Sequence, residues 1–124
     1  MTLVIRQHLQ ARWGDEAVWV VRVTDAAGAP VNITGAAMRF TAKLRAGDPD
    51  GAAILSKTVG AGISLSAPTA GEATVTLADT DTTTRLAPGR THRLLYDWRM
   101  TLAGQTTTVA HGDLLIEPAM SRVV

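Results

Sequence analysis

The stretch RLLYDWRMTLAGQTTTVAHGDLLIE, residues 93–117, decides the fold of this chain. Its first half carries an apolar residue at every second position: Leu94, Tyr96, Trp98, Met100 and Leu102. The intervening positions are mostly polar. Because successive side chains of a strand point to opposite faces, this pattern predicts a strand half buried against a core. Ala103 and Gly104 predict a turn, after which residues 106–117 return as the second strand of a hairpin.

The same alternation recurs between turn signals along the rest of the chain. It predicts strands over residues 3–10, 17–25, 38–45, 53–59, 62–66 and 71–78. Trp19 and Trp98 fall on the inward faces, together with Phe40 and Leu44. About seven to nine short strands at this spacing predict an all-β, immunoglobulin-like antiparallel β-sandwich. Residues 79–86 break the pattern and predict at most one short helical turn, capped by Asp79 or Asp81.

Composition narrows the classes of protein that this chain could belong to. Its 124 residues predict a single domain over residues 1–124. It has no cysteine, and its 12 basic and 11 acidic side chains form no charge block. No apolar stretch approaches the ~18 residues that would span a bilayer. We therefore expect a soluble protein that folds in a cytoplasm and binds neither nucleic acid nor a membrane.

No set of residues has the spacing of a catalytic or metal site. His8, His92 and His111 match no zinc signature. Residues 48–51, Asp-Pro-Asp-Gly, resemble part of a calcium loop, but the apolar residues 52–54 follow where further oxygen ligands are needed. No serine lies in a Gly-x-Ser-x-Gly elbow. We predict a protein that is not an enzyme, with no catalytic residue, no metal, no cofactor and no small-molecule substrate.

The candidate functional residues are therefore contact residues. A basic stripe of Arg39, Lys43 and Arg45 faces outward on one predicted strand. The first interpretation of this stripe is a charged edge that discourages strand pairing. The second is a salt-bridging contact with a neighbouring subunit. The third is binding of nucleic acid, which is disfavoured because no aromatic residues lie between the basic ones to stack on bases.

Apolar residues also occupy positions where a free monomer would expose them. Val18, Val20 and Leu95 fall on outward faces, and either converge into an interface patch or are buried by sheet curvature. The chain ends are also apolar. They predict contacts that reach over to a neighbour, although the first strand could equally pair within its own sheet. The terminal candidates are Leu3, Val4, Ile5, Arg122, Val123 and Val124.

Several segments, in this order, resemble a known family. They are Trp13-Gly14-Asp15, the block VTDAAGAPVNITGA at residues 23–36, GEATV at 71–75, Tyr96-Asp97-Trp98, and HGDLLI at 111–116. Together they resemble the immunoglobulin-like domain of tailed-bacteriophage structural proteins, notably the N-terminal domain of baseplate upper proteins. The resemblance extends over roughly residues 10–122. Its most specific part is the Asp-x-x-Gly-x-Pro-Val-Asn-Ile-Thr-Gly segment at residues 25–35, within the block.

The resemblance implies a structural protein of a bacteriophage virion, in the tail, baseplate or neck. Its implied partners are other virion proteins and copies of itself. Its implied location is the virion, after synthesis in the host bacterial cytoplasm. A baseplate upper protein carries further regions after this domain, so only the docking or packing role is expected here. The alternative is a stand-alone binding module of adhesin-like or carbohydrate-binding type. Exposed aromatic platforms would favour that alternative, but the aromatic residues alternate inward.

Overall fold

Nine strands and one short helix make up the part of the chain, residues 5–119, that the computed structural model describes. The strands are β1 (Ile5–Arg6), β2 (Leu9–Arg12), β3 (Ala17–Arg22), β4 (Ala37–Lys43), β5 (Leu55–Val59), β6 (Gly62–Ala67), β7 (Glu72–Leu77), β8 (His92–Leu102) and β9 (Gln105–Glu117). Helix α1 spans Asp79–Thr83. The predicted all-β class, the strand number and the helical turn are confirmed. Two 3-10 turns, Asp50–Ala52 and Pro68–Ala70, accompany them.

The strands form two layers that face each other across one core. In the first layer the order is β1 or β2, β9, β8, β4 and β5, with β1 and β2 parallel to β9. The second layer is β6, β7 and β3. This is the strand order of an immunoglobulin-like sandwich. A short parallel contact between β5 and β6 joins the layers, so the sheet is nearly closed, as in a barrel.

The core is built around Phe40 on β4. Its ring stacks on Tyr96 at 5.2 Å and meets Trp98 edge-on at 5.8 Å. Trp98 is 2% exposed, which confirms its predicted place in the core. Trp19 stacks on Phe40 at 6.0 Å from the other layer, but it is only half-buried because β3 ends the sheet. The inward prediction for Leu44 is wrong, since β4 ends one residue earlier and this side chain is exposed.

The segment that follows β3 carries the chain from one layer to the other. The carboxylate of Asp25 accepts the backbone N–H groups of Ala27 and Ala29, at 2.9 and 3.0 Å. Gly28 takes the left-handed conformation that this turn needs, with φ of 83°. Gly35, with φ of 79°, precedes the entry into β4. The most specific block of the resemblance therefore has an architectural role in this structure.

The predicted first strand, residues 3–10, is divided in two. Leu3 and Val4 lie outside the described residues, and residues 7–8 separate β1 from β2. At this break the hydroxyl of Tyr96 donates to the carbonyl of Gln7 at 2.6 Å. The carbonyl passes so close to Gly112 that a Cβ there would overlap it. Only a glycine lets the two strands approach at this point.

Helix α1 fixes the turn that leads into β3. Thr82 is fully buried, and its hydroxyl accepts the backbone N–H of Gly14 at 2.8 Å. The indole N–H of Trp13 donates to the carbonyl of Leu86 at 3.0 Å. The carboxylate of Asp81 accepts the N–H of Ala78 at 2.8 Å, so Asp81 does cap the helix terminus, although Ala78 rather than an aspartate occupies the N-cap position. Two hydrogen bonds, one to Thr82 and one to Leu86, thus attach the turn before β3 to the helical turn and the residues that follow it.

Candidate protein-protein interface

Strand β3 has one edge that no other strand covers within residues 5–119. Val23 donates to the carbonyl of Gly71 at 2.8 Å, immediately after the ladder with β7. Because hydrogen-bonded and non-bonded pairs alternate in an antiparallel ladder, every second residue of β3 directs its backbone groups at β7. The residues in between direct their N–H and C=O groups to the open side. These are Val18, Val20 and Arg22.

The outer face beside this edge carries a group of small, uncharged side chains. Val18 and Val20 are 57% and 41% exposed, and they lie opposite Thr76 and Thr74 of β7. Ser64 of β6 continues the row next to Thr74. We call these five residues the valine–threonine face. Small β-branched and hydroxyl side chains of this kind present apolar area with little side-chain entropy to lose on contact.

One end of the valine–threonine face is marked by charge. Arg22 pairs with Glu72 across the two strands, with 3.1 Å between the guanidinium nitrogen and the carboxylate oxygen. The Arg22 side chain nevertheless remains 71% exposed, so most of its donors face solvent. At the other end, the exposed Glu16 immediately precedes β3. The open edge therefore begins with an acidic residue and ends with a basic one.

A second surface covers the outer side of β4 and β8. It is a groove of about 600 Å³, whose lining includes Arg39, Arg99, Asp97 and Leu95. Arg39 and Arg99 are directly opposite each other in the ladder. Neither guanidinium forms an ion pair with another residue of the described chain. Like charges placed this way repel each other, so this arginine groove offers positive charge to solvent.

The basic stripe that contributes to this groove does not protect an edge. Strand β4 is paired on both sides, by β8 and β5, so the edge interpretation of Arg39, Lys43 and Arg45 is wrong. Arg39 and Arg45 are exposed, and Arg45 lies beyond the end of the strand. Alternation showed which way these side chains point, but it carries no information on which strands lie next to β4.

Lys43 is engaged within its own chain rather than free for a neighbour. Its side chain is only 17% exposed, and its ammonium donates to Asp50 at 2.7 Å and to the carbonyl of Asp48 at 2.8 Å. The hydrogen bond from Lys43, followed by its charge, holds the pKa of Asp50 below its ordinary value of 3.8. The loop that resembles part of a calcium site is thus organised around a lysine ammonium.

The remaining interface candidates do not form one patch. Leu95 is exposed on β8, in the layer opposite to the valines of β3. The backbone of Ile5 in β1 is paired with Ala110 in β9. For this residue the structure therefore agrees with the alternative that the first strand pairs within its own sheet. Five other candidates lie outside the described residues. They are Leu3, Val4, Arg122, Val123 and Val124.

The other sequence candidates are placed as ordinary structural residues. His92 is buried, with Nε2 2.8 Å from the carbonyl of Ala87, whereas His8 and His111 lie elsewhere, near β1 and in β9. Among residues 5–119, no three histidine, aspartate or glutamate side chains are grouped closely enough to hold a metal ion. No helix in this described range has the length and apolar character needed to cross a membrane.

Sequence reasoning identified Val18 and Val20 but missed the open backbone edge beside them. It also missed the opposition of Arg39 and Arg99. Both features depend on which strands are neighbours, and the alternation of apolar and polar residues does not indicate this. No protein-family model matches this chain. No curated protein matches its sequence.

Proposed function

We propose that this chain is a non-enzymatic structural subunit of a tailed-bacteriophage virion, in the tail, baseplate or neck. It acts through protein-protein contacts repeated by symmetry. Its partners are other virion proteins and copies of itself. The observation that carries the proposal is the open edge of β3 next to the valine–threonine face.

This edge has few of the devices that keep sheet edges from associating, since Arg22 is its one charged residue. Natural edge strands are blunted by proline, by lysine, by bulges or by a covering segment. Strand β3 is six residues long, contains no proline or lysine, and pairs with β7 in an unbroken register. Two valines are exposed beside it. Such an edge is favourable when a partner covers it, because the partner satisfies the backbone groups and buries the apolar side chains.

The virion setting rests on the resemblance. The ordered motifs include the turn at Asp25, which the structure uses to pass from one layer to the other. The parallel pairing of β2 with β9 and the layer order agree with the immunoglobulin-like scaffold of that family. Symmetric assemblies repeat one surface many times, so a modest contact area on each subunit is sufficient.

The carbohydrate-binding alternative receives less support. Sugar platforms are built from exposed aromatic rings, and all five aromatic side chains of this chain are buried or half-buried. Tyr96 and Trp98 belong to the core, and Trp13 uses its indole N–H inside the chain.

Fractionation of particles tests the proposed function. Antibody against the chain is used on density-gradient fractions of the phage whose genome encodes it. We expect the 13.1 kDa band to sediment with particles at a constant ratio to the capsid protein. A chain that stays in the particle-free fractions would contradict the proposal. Neighbouring genes for tail tube, tape measure or portal are expected, whereas enzymes of host metabolism would count against it.

Two matched variants test whether the β3 edge makes the contact. Val20→Lys places a charge on the open edge, and Gln105→Lys places the same charge on the exposed start of β9. We expect the first variant to fold but to be lost from particles, while the second is incorporated normally. Equal incorporation of both variants would show that the contact does not lie at the β3 edge.

A further inference from the structure

We propose that two copies of this chain pair through their β3 edges, antiparallel and about a two-fold axis, with Trp19 of one copy opposite Trp19 of the other. This inference rests on the proposed role of the β3 edge as a contact site, and it names the occupant of that edge. The layer of β6, β7 and β3 in one copy then joins the same layer of the other copy, so that one continuous sheet crosses the dimer.

The backbone pattern restricts the pairing to a few registers. Val18 and Val20 direct their N–H and C=O groups to the open side, whereas Trp19 directs its own groups to β7. With Trp19 opposite Trp19, Val18 of each copy faces Val20 of the other as a hydrogen-bonded pair. Each of these pairs exchanges two hydrogen bonds, and the tryptophans form the non-bonded pair between them. A shift by one residue would bring backbone groups that are directed at β7 into the interface. It would also place side chains from opposite faces of the two strands across from each other.

Charge selects this register from those that remain. In the Trp19-centred pairing, Glu16 of each copy lies opposite Arg22 of the other, so both ends of the interface carry opposite charges. Both side chains are exposed. Centring the pairing on Val20 instead would place Arg22 opposite Val18 and Glu16 opposite Thr24, and it would lose both charge pairs. Opposite charges directly across a ladder stabilise it.

The pairing also brings side chains of the two copies together on both faces of the sheet. On the outer face, Val18 and Val20 of the two copies form a group of four valines, continuous with both valine–threonine faces. On the inner face, Trp19 is half-buried and stacked on Phe40, and it lies on the strand that ends the sheet. In the proposed pairing, Trp19 of the second copy lies directly opposite and covers exposed surface of this ring. Aromatic pairs in directly opposite, non-bonded positions are among the favourable cross-strand pairs.

Sedimentation equilibrium of the full chain measures the pairing. We expect a dimer of twice 13.1 kDa that dissociates reversibly on dilution. Glu16→Arg and Arg22→Glu each place like charges at both ends, and each variant is expected to weaken dimerisation about tenfold or more. Mixed in equal amounts, these two variants restore opposite charges at both ends. They are therefore expected to form a heterodimer with near wild-type affinity.

Two further variants separate edge pairing from packing of the outer faces. Val20→Pro removes an N–H that points away from β7, so it costs no internal hydrogen bond but abolishes the dimer. Thr76→Lys, one strand further in, alters the outer face and leaves the edge intact, so dimerisation is expected to persist. Far-ultraviolet circular dichroism and a thermal melt confirm that each variant is folded.

Three outcomes would overturn the pairing. They are a wild-type chain that remains monomeric at high concentration, an equimolar charge mixture that fails to associate, and a dimer that Thr76→Lys abolishes while Val20→Pro leaves it intact. A monomer in which the amides of Val18 and Val20 resist hydrogen exchange would show that the chain covers its own edge. A monomer that enters particles contradicts only this inference, whereas a dimer absent from particles contradicts only the proposed function.

Discussion

Truncation of the two inward tryptophans to alanine should destabilise the protein unequally. Trp98 is 2% exposed and packed edge-on against Phe40, so Trp98→Ala leaves a closed cavity. Large-to-small changes of buried aromatic residues cost about 3–5 kcal/mol in free energy of unfolding. The indole N–H of Trp98 has no hydrogen-bond partner among the described residues, and its removal offsets part of that loss. We expect a value near the lower end of this range.

Trp19→Ala should cost less, although sequence alternation treats the two tryptophans alike. Trp19 is half-buried at the end of the sheet, so its removal exposes a notch to water rather than leaving a void. About half of a full side-chain burial is lost, which corresponds to ~1–2 kcal/mol. The two variants should therefore differ in free energy of unfolding, because the two rings differ in burial.

Urea unfolding followed by far-ultraviolet circular dichroism measures both losses. It should be done in a Glu16→Arg background, so that dimerisation does not contribute to the stability of Trp19 variants. Trp98→Phe is the matched control, because it keeps a ring in the core and deletes the unpaired N–H. It should cost clearly less than Trp98→Ala. Equal losses for Trp19→Ala and Trp98→Ala would refute the placement of Trp19 at an open edge.

Three further outcomes follow from other contacts. Burial raises the pKa of Tyr96, the single tyrosine, from 10.0 to about 12, so tyrosinate absorbance should appear near pH 12 in the folded protein and near pH 10 in denaturant. The stability linked to this group is complete below pH 10 and is lost as the pH rises through 12, which pH-dependent melts would detect. Gly112→Ala should lower the melting temperature and speed exchange of the Gln7 amide, because a Cβ overlaps the Gln7 carbonyl; unchanged exchange would contradict this close approach. Arg99→Thr should stabilise the domain by about 0.2–1 kcal/mol by relieving repulsion from Arg39, and the gain should disappear in high salt.

Local pattern predicted most of the strands and most of the core. Alternation identified β8 and its inward residues, and the Ala103-Gly104 turn joins β8 to β9 as predicted. The turn at Asp25 and the helix at Asp79–Thr83 also follow from local chemistry, because a carboxylate satisfies nearby backbone N–H groups in each. Information of this kind resides in a few consecutive residues.

Local pattern does not show which strands are adjacent, because pairing joins residues far apart in the chain. The pattern favours an edge position for the stripe with Arg39 and Lys43, yet β4 is central. The pattern also predicts an inward Trp19, which is correct, but its burial is limited by the end of the sheet. The contact of Lys43 with Asp50 depends on how the following loop folds back. In each case the sequence pattern indicates the direction of the side chain, whereas the outcome depends on which strand or loop lies next to it in the fold.

The parallel pairing of β1 and β2 with β9 has a mechanical consequence. Ile5 lies opposite Ala110, and Arg12 lies opposite Glu117, so the two ends of the described chain leave this ladder in opposite directions. The ladder extends for about 23 Å, given ~3.3 Å per residue. Tension applied between the ends therefore acts along the strands and loads their hydrogen bonds together in shear, instead of opening them one after another. This geometry resists a pull applied between the two ends, and the Tyr96–Gln7 hydrogen bond lies within the loaded region.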